Sequence, residues 1–220
     1  GELESALQQA AQAAPYWREQ AVEERCRLMR QAAKVLRARA EELARMMTLE
    51  MGKPISEARA EIEKCALGCE YYAAAGPAFL ADEEIGSDAG RSLVTYQPLG
   101  TVLAVMPWNF PFWQVFRFAA PALIAGNTGL LKHASNVPQC AQAVESVFVE
   151  AGFPAGVFRT LMIPSSQVEA VIQDPRVQAV TLTGSEPAGR QVAATAGAQI
   201  KKSLLELGGS DPFIVLEDAD

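Results

Sequence analysis

The sequence predicts an α/β chain, a parallel sheet with helices on both faces preceded by a helical segment. Apolar residues across residues 1–80 recur at helical spacing, and from residue 91 short β-rich runs alternate with amphipathic helical stretches. Polar residues collect where the β runs end. The 220 residues, 50% hydrophobic and 20% charged with a mean hydropathy of +0.06, suffice for a packed core. The change of text divides the chain into residues 1–90, a helical segment, and residues 91–220, the sheet domain on which it packs.

Each element has a local reason. Val22, Cys26, Met29, Ala33, Leu36, Ala40, Leu43 and Met47 step by fours and threes, which places them on one stripe of a single long helix. Gly52 and Pro54 stop it, the first as a left-handed cap and the second because it cannot continue the ladder. A second helix follows Ser56 with Ala58, Ile62, Cys65, Cys69 and Tyr72 on its buried face. RSLVTYQ alternates and ends at Pro98, so it reads as an edge strand. TVLAVM and TGLLK are buried strands flanking a helix from about Trp113 to Ala125. Ser135 and Pro138 lead into the next helix, which ends at Gly152. GVFRTLMI is a strand, SSQVEAVIQ a short helix closed by Asp174-Pro175, and AVTLTG a strand. A helix runs from Ser185 to about Gly197, and KKSLLELGG and PFIVLED are the last strands.

Asp and Glu number 26 against 19 Lys and Arg, a formal net charge of −7, which argues against a nucleic-acid partner. No apolar run approaches the ~20 residues that span a bilayer, so no membrane role is expected. The acidic, Ala/Gln-rich start has no signal-peptide pattern, and the cysteines, Cys26, Cys65, Cys69 and Cys140, are sparse. The expected setting is the cytoplasm, with reduced thiols. Cys65 and Cys69, one helical turn apart, read as small core residues rather than half of a metal site, and no metal is expected.

Four groups of polar residues sit at strand exits. Asn109, in Met106-Pro107-Trp108-Asn109-Phe110-Pro111, is a rigidly held amide that can donate to a developing oxyanion or cap a turn. Lys132, before His133 and Ser135, can hold a phosphate or ribose hydroxyl, or stand solvated beside an N-cap serine; His133 reads as a surface residue. Gly184 and Ser185, in TGSEPAGR, open a helix whose free amides favour an anion, or simply form a tight turn. This is not the GxGxxG fingerprint. Glu206, between leucines ahead of Gly208-Gly209, is a general base if partial burial raises its pKa, or a structural carboxylate.

Together these motifs resemble the aldehyde dehydrogenase superfamily over nearly the whole chain. MPWNFPFW, LLKHAS, TLTGSEPAGR and LELGGSDPFIVLEDAD match its successive motifs, and EMGKPISEARAEI its less catalytic segments. The LLKHASN and LELGGSDPFIVLEDAD variants look most like those of bacterial succinate-semialdehyde dehydrogenases. The resemblance implies a Rossmann-like NAD(P)-binding domain over residues 91–220 and an aldehyde dehydrogenase fold that is incomplete in this chain. It implies oxidation of an aldehyde to the acid: a cysteine thiolate adds, hydride leaves to the nicotinamide, and water hydrolyses the thioester. Asn109 would stand in the oxyanion hole, and Glu206 would activate the water and could also help deprotonate the thiol. Lys132 would hold the adenosine ribose. Gly184, Ser185 and the helix start through Gly189 would face the pyrophosphate, with Trp108 close by. Leu207 would line the nicotinamide end.

The family's nucleophilic cysteine lies a few tens of residues past the LELGG glutamate, beyond Asp220, and none of the present cysteines matches its motif. The expectation is a partial enzyme, inactive alone and prone to aggregate, from a full-length homo-dimer or homo-tetramer. Many NAD-preferring relatives carry Glu where Ser135 stands; Ser removes the repulsion of a 2′-phosphate, so either NAD or NADP fits. Arg117 lies where semialdehyde-oxidising relatives turn an Arg toward the substrate, and its guanidinium can bind a distal carboxylate. The alternatives are a non-catalytic dinucleotide-binding module, disfavoured by keeping both Asn109 and Glu206, and an acyl-CoA or acyl-phosphate reductase, which needs no deacylating base.

Overall fold

The computed structural model describes residues 1–220. Four helices come first: α1 (Glu2–Arg18), α2 (Val22–Ala38), α3 (Ala40–Met51) and α4 (Ile55–Phe79). A two-stranded ribbon follows, β1 (Glu83–Glu84) with β2 (Leu93–Val94), paired antiparallel. The remainder alternates: β3 (Thr101–Met106), α5 (Trp113–Ile124), β4 (Thr128–His133), α6 (Pro138–Glu150), β5 (Phe158–Thr160), α7 (Val168–Gln173), β6 (Val177–Thr183), α8 (Glu186–Ala198) and β7 (Lys202–Glu206). Strands β3 to β7 form one parallel five-stranded sheet in the order β5-β4-β3-β6-β7.

Helices cover both faces. Alternate residues of β3 and β4 point to opposite sides. Ala104, Met106 and Leu131 join the larger core with α2, α3, α4, α5 and α6. Leu103, Leu130, Val180 and Leu182 join the smaller one with α1, α7 and α8.

The expected single long helix is two. It breaks at Arg39 (φ −102°, ψ 11°), whose guanidinium crosses to Ser146 on α6. The stripe survives because a one-residue interruption leaves the three-and-four stepping nearly in phase. Gly52 takes the expected left-handed cap, at φ 77°. RSLVTYQ contributes only Leu93–Val94, outside the main sheet. GVFRTLMI pairs over Phe158–Thr160 alone, as an edge strand against β4. PFIVLED is not a strand; Phe213 to Leu216 find no ladder partner and lie exposed. No helix is long and apolar enough to cross a membrane.

Helix α5 is gripped at both ends, which matters for the loop before it. The Trp17 indole donates to the Leu123 carbonyl at 2.9 Å and Arg25 Nε to that of Ile124 at 2.7 Å. The Leu123 carbonyl also accepts from the Gly126 N–H at 3.0 Å, whereas that of Ile124 is one a helix C-terminus leaves unpaired. At the other end, Glu61 Oε1 accepts from the backbone N–H of Phe112 and of Trp113, each at 2.9 Å.

Candidate active site

Strands β3, β6 and β7 end level with one another. Val105 pairs with Leu182, Leu182 with Leu205, and one step on Thr183 pairs with Glu206. From β3 the chain runs outward through β4 to β5, then returns to β6 on the other side of β3. Loops leaving β3 and β6 therefore diverge and leave a crevice at the carboxyl edge, the place where open α/β sheets bind ligands.

A cavity of about 440 Å³ occupies that crevice, lined among others by Trp108, Asn109, Arg117, Ser185, Glu206 and Leu207. Gly184 also lines it, so six of the residues expected at a site, together with Arg117, converge on one hollow. Thr183 and Glu206 share the α5 face of the sheet. There Arg117 Nη2 lies 3.2 Å from Thr183 Oγ1 and Nη1 lies 3.9 Å from Glu206 Oε2. The Glu206 carbonyl accepts from Gly184 N–H at 3.0 Å, which ties the end of β7 to the turn before α8.

Glu206 departs from expectation in burial: its side chain is 54% exposed. Strand β7 is the sheet edge, and no helix among these residues covers its α5 face.

Ser185 is the N-cap of α8 and makes no side-chain cap bond, so the Glu186 and Ala188 amides of the first turn keep their donors free, Pro187 having none. The helix dipole adds positive potential there. These donors suit a pyrophosphate. In the wall of the same cavity the Oε1 of Gln114 is buried without a hydrogen-bond partner, an acceptor open to a donor on a bound group. The donor set therefore fits a dinucleotide.

Lys132, Ser135 and Gly189 lie outside this lining. Lys132 points to the α1, α7 and α8 face, the same side as Leu130 and Val105, and is nearly buried. Desolvation holds its ammonium below the usual lysine range. On that face a groove of about 460 Å³ runs between α7 and α8, lined by Ser165, Glu169 and Thr195 among others. Ser135 is exposed in the loop after β4 and caps nothing: the N-cap of α6 is Val137, and its free amides at Gln139 and Cys140 are met by the Glu50 carboxylate at 2.8 and 2.9 Å. Gly189 is buried beneath Leu207, where an added Cβ would lie 2.5 Å from Leu207 Cδ2. Gly189 thus allows Leu207 to close over the start of α8 rather than touching the crevice itself.

His133 is not a surface residue; it is 4% exposed, beneath the loop that carries Asn109. Its Nδ1 accepts from Ala134 N–H at 2.8 Å, so Nε2 carries the proton and donates to the Pro111 carbonyl at 2.8 Å. Burial holds its pKa below the usual histidine value. The loop has two further tethers, Glu61 on the Phe112 and Trp113 amides and the Lys53 ammonium 3.7 Å above the Phe110 ring. Sequence reasoning passed over Lys53 and Glu61. The visible signal was two charged positions in GKPISEARAEI, with Glu61 sharing the buried helical face of Ala58 and Cys65.

All four cysteines are buried and none lines the crevice. Desolvation raises the thiol pKa at Cys26, Cys65, Cys69 and Cys140. They are poor thiolates and serve as packing.

A doubly wound sheet whose crevice combines uncapped helix amides, a side-chain amide and a carboxylate has the geometry of a dinucleotide-binding fold. The aldehyde dehydrogenase family model matches residues 1–220, and the chain belongs to that family. It is 62% identical over 192 residues to a probable succinate-semialdehyde dehydrogenase [NADP(+)] of Synechocystis, covering 87% of this chain and 42% of that protein. To succinate-semialdehyde dehydrogenase [NADP(+)] 1 of Mycobacterium tuberculosis it is 54% identical over 224 residues, covering 100% of this chain and 49% of the relative. The crystal structure of the Streptococcus pyogenes succinic semialdehyde dehydrogenase in complex with NADP+ superposes with a TM-score of 0.94 at 43% identity, covering 99% of this chain and 48% of that one. The chain thus spans about half the length of the relatives it matches.

Proposed function

We propose that this chain is the cofactor-binding part of an NADP-dependent succinate-semialdehyde dehydrogenase, with residues 91–220 holding the cofactor and residues 1–90 buttressing them. The observation that carries the reading is the convergence of Asn109, Glu206 and Arg117 with the uncapped start of α8 on one crevice.

When bound, the nicotinamide accepts the hydride from the aldehyde carbon. The chain's own residues do the rest of what this segment supplies. Gly184, Ser185 and the first amides of α8 bind pyrophosphate, and Lys132 binds the adenosine ribose on the face of the sheet that α7 and α8 cover. Ser135 places no carboxylate where a 2′-phosphate would approach, which supports NADP, the cofactor in the names of the relatives above. Asn109 Nδ2 donates to the oxygen of the tetrahedral adduct, where a preorganised donor is worth roughly 3–4 kcal/mol of transition-state stabilisation. Glu206 takes a proton from the water that hydrolyses the thioester. Arg117 pairs with the distal carboxylate of succinate semialdehyde, loosening its 3.9 Å contact with Glu206. The nucleophilic thiolate comes from outside these residues, because each cysteine present is buried away from the crevice.

The test is kinetic. In the complete enzyme Arg117→Ala should lower kcat/KM for succinate semialdehyde about 100-fold, equivalent to ~2.7 kcal/mol, while an uncharged aldehyde of equal length is little affected. Equal losses on both substrates would remove the carboxylate-binding role. Tighter binding of NAD than of NADP would overturn the cofactor assignment.

A further inference from the structure

We infer that Lys53 and Glu61 form a positioning pair that holds the Asn109 amide in its catalytic orientation. The inference rests on the reading of Asn109 as the oxyanion donor and adds residues to it that touch neither substrate nor cofactor.

Asn109 and Trp108 are exposed at the tip of a short loop, so no packing of their own fixes them. Order must come from the loop's base. Two adjacent backbone amides there, Phe112 and Trp113, donate to a single oxygen, Glu61 Oε1. The other carboxylate oxygen pairs with Lys53. Both side chains are nearly solvent-free, at 6% exposure for Lys53 and 1% for Glu61. The same ammonium rests 3.7 Å above the Phe110 ring, the residue next to Asn109. One ion pair thus reaches the chain at three of the four residues after Asn109, missing only Pro111, whose carbonyl is taken by His133.

A buried charge pair of this kind adds little net stability over apolar residues of the same shape. Its geometric content is large, because a doubly hydrogen-bonded carboxylate fixes both position and direction of the helix start. Misplacement of a catalytic group by about 1 Å can reduce rate about 100-fold. The pair sits on the helical segment, so residues 1–90 reach the chemistry through this contact.

The experiment is a double-mutant cycle in the complete enzyme with succinate semialdehyde and NADP. It uses Glu61→Gln, Asn109→Ala and their combination. Lys53→Met/Glu61→Gln is a neutral second variant that strands no buried charge and keeps an acceptor for the two amides. Assays run well below the lowest Tm. Glu61→Gln should lower kcat about 10-fold or more with KM and the NADP Kd nearly unchanged, and in the Asn109→Ala background that loss should vanish. The neutral double variant should recover most of the lost kcat. If the Glu61→Gln loss persists in full without Asn109, or if kcat is unmoved while only Tm falls, the pair is structural and the inference is wrong. If Asn109→Ala itself leaves kcat/KM unchanged, the oxyanion reading fails instead, a separate outcome.

Discussion

Gly189→Ala isolates what one missing methyl group does for the crevice. The new Cβ would lie 2.5 Å from Leu207 Cδ2 and 3.1 Å from Cδ1. Carbon atoms rest at about 3.5–4.0 Å, so the Leu207 side chain must retreat by roughly 1 Å. The backbone of α8 cannot give way as easily, being held by its own ladder. Leu207 is 40% exposed, so it has room to rotate, toward the hollow it lines. Forcing such a side chain off its rotamer costs about 0.5–1.5 kcal/mol. Replacing a helical glycine by alanine returns about 0.5–1 kcal/mol. The two nearly cancel, so Tm should move by no more than a few degrees. Cofactor binding should suffer if the crevice holds NADP as proposed, because Leu207 adjoins Glu206 in its lining. The expected change is about a tenfold rise in the NADP Kd, equivalent to ~1.4 kcal/mol. Calorimetric titration with NADP, paired with thermal melts, reads both quantities. An unchanged Kd at unchanged Tm would refute the claim that Leu207 shapes the cofactor site.

Other outcomes follow from the same geometry. His133 is held neutral by burial, so the unfolded chain binds more protons than the folded one as pH falls below the unfolded value of about 6.5. Its contribution to stability is present above that pH and is lost on acidification, and His133→Gln should flatten this part of the pH–stability curve; an unaltered slope would contradict it. Lys53→Met leaves the Glu61 carboxylate buried without its cation and should destabilise by about 3–5 kcal/mol in urea unfolding, whereas Lys53→Met/Glu61→Gln should recover most of that. Lys132→Met should weaken NADP binding about tenfold, ~1.4 kcal/mol, without lowering Tm, since it removes an ammonium that burial already disfavours. A lower Tm with intact binding would make Lys132 a structural residue.

The legible parts of the chain were those decided locally. TVLAVM and TGLLK are apolar on both faces, and only a central strand of a covered parallel sheet has that need. Polar residues at strand exits announced the crevice because a parallel sheet sends all its carboxyl ends to one edge. What could not be read depended on partners distant in sequence. Alternation in RSLVTYQ was real, but Leu93 and Val94 pair with Glu83 and Glu84, which carry no strand signal. The apolar PFIVLED run needs a neighbouring strand that these residues do not provide. His133 is buried because the Pro111 carbonyl descends onto it from 22 residues away, and Glu61 meets α5 across 51 and 52 residues. Glu206 misled for the complementary reason: leucine neighbours suggest burial, yet an edge strand leaves one face open.

The proposed division of labour between Asn109 and Glu206 is most directly tested by the pre-steady-state time course of NADPH formation in the complete enzyme carrying Glu206→Gln. A base that acts only on the deacylating water predicts a burst of about one NADPH per active site, followed by a steady rate at least ~100-fold below that of the unaltered enzyme. Sustained turnover at the original rate, or loss of the burst with NADP still bound, would contradict the assignment of Glu206.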